Sequence, residues 1–207
     1  GITVNVGHGS IAVPGMLRAL ELAWQRHGSL PWRELLGPAL ALAKNGVAAN
    51  QTLVKWLAMA GRAVFFDQQE SRSAFFPDGV NPLQEGQFYK APHLDSSLEL
   101  IAREGADALY RGDLGRAFAE EIGAHDCFLT RDDLAANRAR VRRPHLLHSH
   151  GFDLALNPPP SIGGAMVGSM VQMYDALSPE TMSEAEKIDS IARVQRMMFS
   201  LREQEGS

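Results

Sequence analysis

Phe152-Asp153-Leu154-Ala155-Leu156-Asn157, running into Pro158-Pro159-Pro160-Ser161-Ile162-Gly163-Gly164, is the stretch on which the reading of the fold turns. In its first half, apolar Phe152, Leu154 and Leu156 alternate with Asp153, Ala155 and Asn157, the period-two pattern of a half-buried strand. The run from Pro144 to His148 pairs with it across Ser149–Gly151 and makes a hairpin. Three prolines then end the pairing, because a proline has no N–H to give to a ladder. Ser161 is placed to cap a helix that continues to about Ala176.

Outward from that hairpin the period is helical. Pro14 suits a first turn, and Met16, Leu20, Ala23 and Trp24 share a face until Gly28. Trp32 to Asn45 reads as two short helices meeting at a kink at Gly37-Pro38. Asn50 caps a third helix, with Leu53, Trp56, Leu57 and Ala60 as its stripe and Gly61 as its stop. Asp78-Gly79, Asn81-Pro82 and Glu85-Gly86 are turn chemistry, so the stretch from Ala63 to Pro92 reads as a long irregular connection with a short strand at Gln87–Tyr89. Connections of that length are usually functional or packed against something. Helices resume at Leu94–Glu104 and Leu114–Ile122, and Thr130 with Asp133 forms a capping-box start for Arg131–Ala136. A last amphipathic helix uses Ile188, Ile191, Val194, Met198 and Leu201. The expected fold is mainly α (α+β): helical over 1–62, irregular over 63–92, helical over 93–137, a hairpin in 138–160, and helical over 161–207.

The chain has 207 residues, of which 45% are hydrophobic and 21% charged, a composition that supports a packed core without metals or disulfides. Its net charge of −4 argues against nucleic-acid binding, which relies on clustered Lys and Arg. The densest basic group, Arg138, Arg140, Arg142 and Arg143, is short and lacks aromatic neighbours, so a solvated strand or turn explains it better. The single cysteine, Cys127, excludes an internal disulfide and leaves the compartment open. No apolar run approaches the roughly 20 residues of a membrane span. The opening on Gly1, without Met or a signal-peptide pattern, reads as an excised segment.

Four groups of residues invite a chemical reading. His145, His148 and His150 are nitrogen ligands of the kind zinc favours, with Asp153 nearby. On a strand, however, His148 and His150 face one side and His145 the other, so polar residues on an exposed hairpin are the better account. His8 beside Ser10 suggests a nucleophile pair, yet a triad is defined by geometry across a fold, and no Gly-x-Ser-x-Gly elbow is present. The amides of Ser161-Ile162-Gly163-Gly164 open a helix and could hold an oxyanion. Stiffening by the prolines and close packing by the glycines explain that segment better. Glu120-Glu121 and Asp132-Asp133 read as helix-surface and first-turn carboxylates, and Cys127 as a packed thiol. Composition and spacing therefore point to no catalytic, substrate-binding or metal-ligating residue and to no cofactor.

Six segments, taken in order, resemble the large subunit of γ-glutamyltranspeptidases. Ala12-Val13-Pro14-Gly15 with Leu17 through Ala23 is similar to an A-x-P-G helix opening. Gly28 through Ala39 resembles G-x-L-P-W-x-x-L-x-x-P-A, and Ala41 to Gly46 continues it. Leu98 to Gly105 with Tyr110-Arg111-Gly112 resembles L-x-x-I-A-x-x-G-x-x-x-x-Y-x-G. Leu129 to Ala135 resembles L-T-x-x-D-L-A. Pro158 to Gly164 resembles P-P-P-S-S-G-G, with Ile162 in place of the second Ser. The match weakens after Asp175.

That resemblance implies an N-terminal-nucleophile hydrolase in which a precursor cuts itself, and the new N-terminal Thr of a small subunit attacks a γ-glutamyl amide such as that of glutathione. The acyl group then passes to water, an amino acid or a peptide. The Thr of the family lies beyond this segment and its carboxylate-binding Arg before it, so no functional residue carries over. The expected role is a single partial domain of the large subunit: the helical flank of an αββα sandwich, without activity alone, partnered by the small subunit and prone to self-association. A periplasmic or extracellular place is implied with it. A sister acylase or other amidase of the same architecture, and a free-standing helical interaction module, are the competing readings.

Overall fold

The computed structural model describes residues 6–125 and 127–205, so the opening at Gly1 lies outside it. The chain forms two compact units, Gly1–Arg140 and Val141–Ser207. The first carries α1 (Met16–His27), α2 (Trp32–Asn45), β1 (Val47–Ala48), α3 (Gln51–Trp56), α4 (Arg62–Phe65), α5 (Gln69–Phe75), β2 (Phe88–Tyr89), α6 (Leu94–Glu104), α7 (Asp107–Tyr110), α8 (Asp113–Gly123) and α9 (Arg131–Ala136). The second carries β3 (His145–Ser149), β4 (Phe152–Leu156), α10 (Ile162–Asp175) and α11 (Glu184–Glu205).

The local signals for helix starts act as the chemistry requires. Asn50 accepts the N–H of Leu53 at 2.9 Å. At α9 the capping box is complete: Thr130 Oγ1 accepts the N–H of Asp133 at 3.2 Å, and Asp133 Oδ2 accepts the N–H of Thr130 at 2.9 Å. Ser161 stands at the N-cap of α10 with extended backbone, but its hydroxyl makes no capping hydrogen bond.

Three expectations change. α2 is one helix from Trp32 to Asn45, with Pro38 inside it, and not two helices meeting at a kink. Proline removes one rung of the ladder. The helix continues because its sides are tied to α6: Trp32 Nε1 donates to the Ile101 carbonyl at 2.9 Å, and Lys44 pairs with Glu99. Nor does Gly61 stop the third helix. The chain passes through a π-helical turn, Leu57–Gly61, straight into α4. A methyl group at Gly61 would lie 3.1 Å from Leu57 Cδ2 and 3.4 Å from Phe76 Cζ, so the residue is small to let Phe76 in.

The third change is the stretch 63–92, where α5 and the end of α4 stand in place of irregular chain, while β2 falls at the expected short strand. Aromatic burial organises it. Ala49, Leu57 and Leu83 form a buried cluster surrounded by Leu53, Val54, Phe65, Phe75 and Tyr89. The Phe65 and Phe75 rings stack at 4.5 Å, an arrangement favoured beyond simple area burial. β2 pairs antiparallel with β1, Val47 opposite Tyr89, which closes the whole excursion against α3. Its turn is set by Asp78, whose carboxylate accepts the N–H groups of Val80 at 2.8 Å and Asn81 at 2.6 Å.

In the second unit, β3 and β4 pair from His145 opposite Leu156 to Ser149 opposite Phe152. His150 and Gly151 turn the corner with φ of 47° and 79°. Both lie in the left-handed region that a two-residue hairpin demands, which glycine occupies without strain. One face of the hairpin packs on α10. A Cβ at Gly168 would lie 3.0 Å from Leu156 Cδ1 and 3.5 Å from His145 Cδ2.

Candidate functional site

The densest polar constellation in the first unit joins the start of α1 to α7. Arg18 is largely buried, its side chain 16% exposed, and donates to Glu21 at 2.8 Å and to Asp107 at 2.5 Å. Its guanidinium carbon lies 4.4 Å from the centre of the Tyr110 ring, within cation–π range. The Tyr110 hydroxyl donates to the Pro14 carbonyl and accepts the Arg18 N–H at 3.1 Å. Glu21 Oε1 accepts the Ala106 N–H at 2.7 Å. A buried charge of this kind is tolerated only when paired and hydrogen-bonded.

Burial works against the charge on Arg18, but hydrogen bonds and attraction from Asp107 and Glu21 outweigh it and raise its pKa. The hydrogen bond from Arg18, above all, holds Asp107 below the usual carboxylate range. Nothing in this network is poised for proton transfer. Arg18 stays charged and Asp107 stays ionised, so its chemistry is that of a lock. Sequence reasoning missed it, since Arg18, Asp107 and Tyr110 look ordinary on their own helices.

The three hairpin histidines do not converge. His145 faces α10, His148 Nδ1 lies 2.8 Å from Asp153 on the opposite face, and His150 Nε2 lies 3.0 Å from Asp175. His150 therefore reaches back to α10 from the turn, where strand alternation had put it with His148. Asp175 also accepts from Ser149 Oγ at 3.0 Å, a clasp between the hairpin and α10.

At Pro158–Gly164 the geometry is that of close packing. A Cβ on Gly164 would lie 2.0 Å from the Asn157 carbonyl oxygen, so only glycine lets α10 begin against the end of β4. Arg142 Nη1 donates to the Pro159 carbonyl at 2.8 Å and braces the loop, whose Pro159–Pro160 peptide is cis. Ser10 Oγ donates to the Gly7 carbonyl at 2.7 Å, a local turn bond and not a bond to His8. Cys127 is half-buried and packs with Ile122, Leu129 and Leu134, while Asp133 belongs to the α9 cap. His8 instead stacks on His125, with Glu121 nearby.

Within the first unit, the segments that carried the family resemblance are those that meet. Tyr110 bonds Pro14, Trp32 bonds Ile101, and Leu134 is buried with Ile122 and Leu129 beside Val13. A crystal structure of Helicobacter pylori gamma-glutamyltranspeptidase has the same fold, with a TM-score of 0.83 and 26% identity, over 95% of this chain and 57% of that one. The class defined is thus the helical part of an N-terminal-nucleophile hydrolase. The model of the family described as gamma-glutamyltranspeptidase matches residues 2–206, through the last helix, and the chain belongs to that family. It is 29% identical over 191 residues to the glutathione hydrolase proenzyme of Escherichia coli strain K12, covering 87% of this chain and 33% of that protein. It is 34% identical over 170 residues to the acylase ACY 1 proenzyme of Pseudomonas sp. strain SE83, covering 82% and 30%. The chain thus spans about a third of the length of these curated relatives. No helix among the described residues is long and apolar enough to cross a membrane.

Proposed function

We propose that the chain is the helical scaffold of a γ-glutamyltransferase and glutathione hydrolase, which cleaves γ-glutamyl amides and passes the acyl group to water, an amino acid or a peptide. It supplies no nucleophile. The attacking Thr belongs to a small subunit released from the same precursor, its amine serving as base for its own hydroxyl while an oxyanion hole stabilises the tetrahedral intermediate. The observation that carries this reading is the mutual packing of the family segments: α1 is locked to α7 through Tyr110 and Pro14, and α2 to α6 through Trp32 and Ile101. Residues that hold helices to one another, with no acid–base pair among them, suit a flank that supports a site built elsewhere.

The complete gene product, assayed with γ-glutamyl-p-nitroanilide, is expected to release nitroaniline, and the 207-residue chain alone is not. Turnover by the isolated chain, lost on changing one of its residues, would overturn the scaffold reading. Similarity to a Pseudomonas acylase proenzyme favours a second reading, an acylase of the same architecture. Release from another acyl amide, with none from the γ-glutamyl substrate, would select it.

A further inference from the structure

Away from the Arg18 lock, the N-terminal turn and the end of α8 bring three metal-ligating side chains together. His8, Glu121 and His125 each offer one ligand atom, and the three atoms lie within 4.8 Å of one another. We propose that these residues form a zinc site on the surface of the first unit, a clip between the segment leading into α1 and the C-terminal end of α8. His8 and His125 are far apart in sequence, so spacing alone predicts no metal ligand here and only folding brings the three together. The proposal is independent of the acyl-transfer reading.

The donor set is the first argument. Two imidazole nitrogens and one carboxylate oxygen suit zinc, and such a trio leaves a fourth tetrahedral position for water. The second is position. Glu121 and His125 are four residues apart, so they project on one side of the helix end, and His125 Nε2 lies 3.7 Å from Glu121 Oε1.

His8 is brought to them by folding. Its turn is closed by the Ser10 N–H to the Gly7 carbonyl at 3.1 Å and the Ile11 N–H to the His8 carbonyl at 3.2 Å. Ile11 and Val13 then pack beside Ile122, Leu129 and Leu134, so burial of the following residues anchors His8 over α8. The result is a stack of the His8 and His125 rings, 4.2 Å between centres and 15° between planes. Among the described residues, the one charged side chain paired with either ring is Glu121 on His125, itself a member of the set. Glu121 and His125 are exposed, which gives an ion a path from solvent. Ligand atoms about 2.1 Å from a tetrahedral zinc lie about 3.4 Å from one another. Shifts on the order of 1 Å by the exposed Glu121 and His125 and the half-buried His8, with the two rings turning out of their stack, close the set.

The test uses the complete protein, free of any histidine tag and stripped with a chelator, titrated with zinc chloride alone. Calorimetry is expected to show one zinc per chain, and zinc to raise the melting temperature, as any ligand of the native state does. His8→Gln, Glu121→Gln and His125→Gln should each weaken binding roughly tenfold or more. His148→Gln, which removes the separate His148–Asp153 pair, should leave it unchanged. Absence of saturable uptake by the wild-type protein, or uptake that survives both His8→Gln and His125→Gln, would overturn the site. Neither result bears on nitroaniline release, so the two proposals fail separately.

Discussion

The two units differ in how they are held. In the first, large side chains from helices and connecting segments are fully buried, with Tyr110, Phe76, Leu57, Leu83 and Leu134 all below 2% exposed. In the second, Pro179, Val194 and Met198 are buried, while Phe152 and Leu146 are each 70% exposed and Ile188 69%. The hairpin, α10 and α11 are joined by a close backbone approach at Gly164 and a polar clasp at Asp175. One unit has a core of its own, and the other presents apolar faces of the kind that seek a partner.

That contrast can be broken by substitution. Leu57→Ala should cost the first unit about 3–5 kcal/mol, as cavities in well-packed cores do, read as lost amide-exchange protection in α3 and α5. Comparable loss in α10 and α11 would show that the units are not independent. Gly164→Ala should cost about 3 kcal/mol, because a methyl group 2.0 Å from a backbone oxygen cannot be placed without moving α10. Its effect on exchange should be confined to the second unit.

Arg18→Ala leaves Glu21, with only 14% of its side chain exposed, without its guanidinium and should cost about 2–3 kcal/mol. Tyr110→Phe, which leaves the Pro14 carbonyl and the Arg18 N–H without that partner, should cost about 1–2 kcal/mol. Acid acts on both units, since Glu186 of the second is also held below the ordinary carboxylate range, by the Ser183 hydroxyl and amide, but more of the lowered carboxylates lie in the first. Asp78, Asp107 and Asp133, all in the first unit, have pKa values lowered below 3.8, so their contribution is complete above that value and is lost as pH falls through the lowered ones. Denaturation between pH 7 and about pH 2 should follow that direction. Smallest in stability is Phe152→Ser, expected within about 0.5 kcal/mol of the parent, yet it should reduce self-association in sedimentation.

Legibility followed the range of each interaction. The Asn50 cap, the Thr130–Asp133 box and the period-two pattern of Phe152–Leu156 all lie within a turn or a strand, and each appears where the sequence puts it, while Pro14 stands just before the Gly15 N-cap of α1 and not in its first turn. Gly37-Pro38 and Gly61 signal breaks that the fold does not make, because a breaker acts locally, while the bond from Trp32 to Ile101 and the space needed by Phe76 come from elsewhere in the chain. In 63–92, turn residues outweighed the spaced aromatics whose clustering depends on α3.

The sequence by itself determined α1, α6, α8, α9, α10 and α11, the late hairpin and, through six ordered segments, the family to which the chain belongs. Periods, caps and turn residues act over a few positions, so they can be read without knowing the fold. Only tertiary structure decided that Tyr110 closes on Pro14, that His150 turns to Asp175, and that His8 comes to rest on His125. Those meetings depend on which distant segments bury their apolar faces together, a property of the packed chain as a whole.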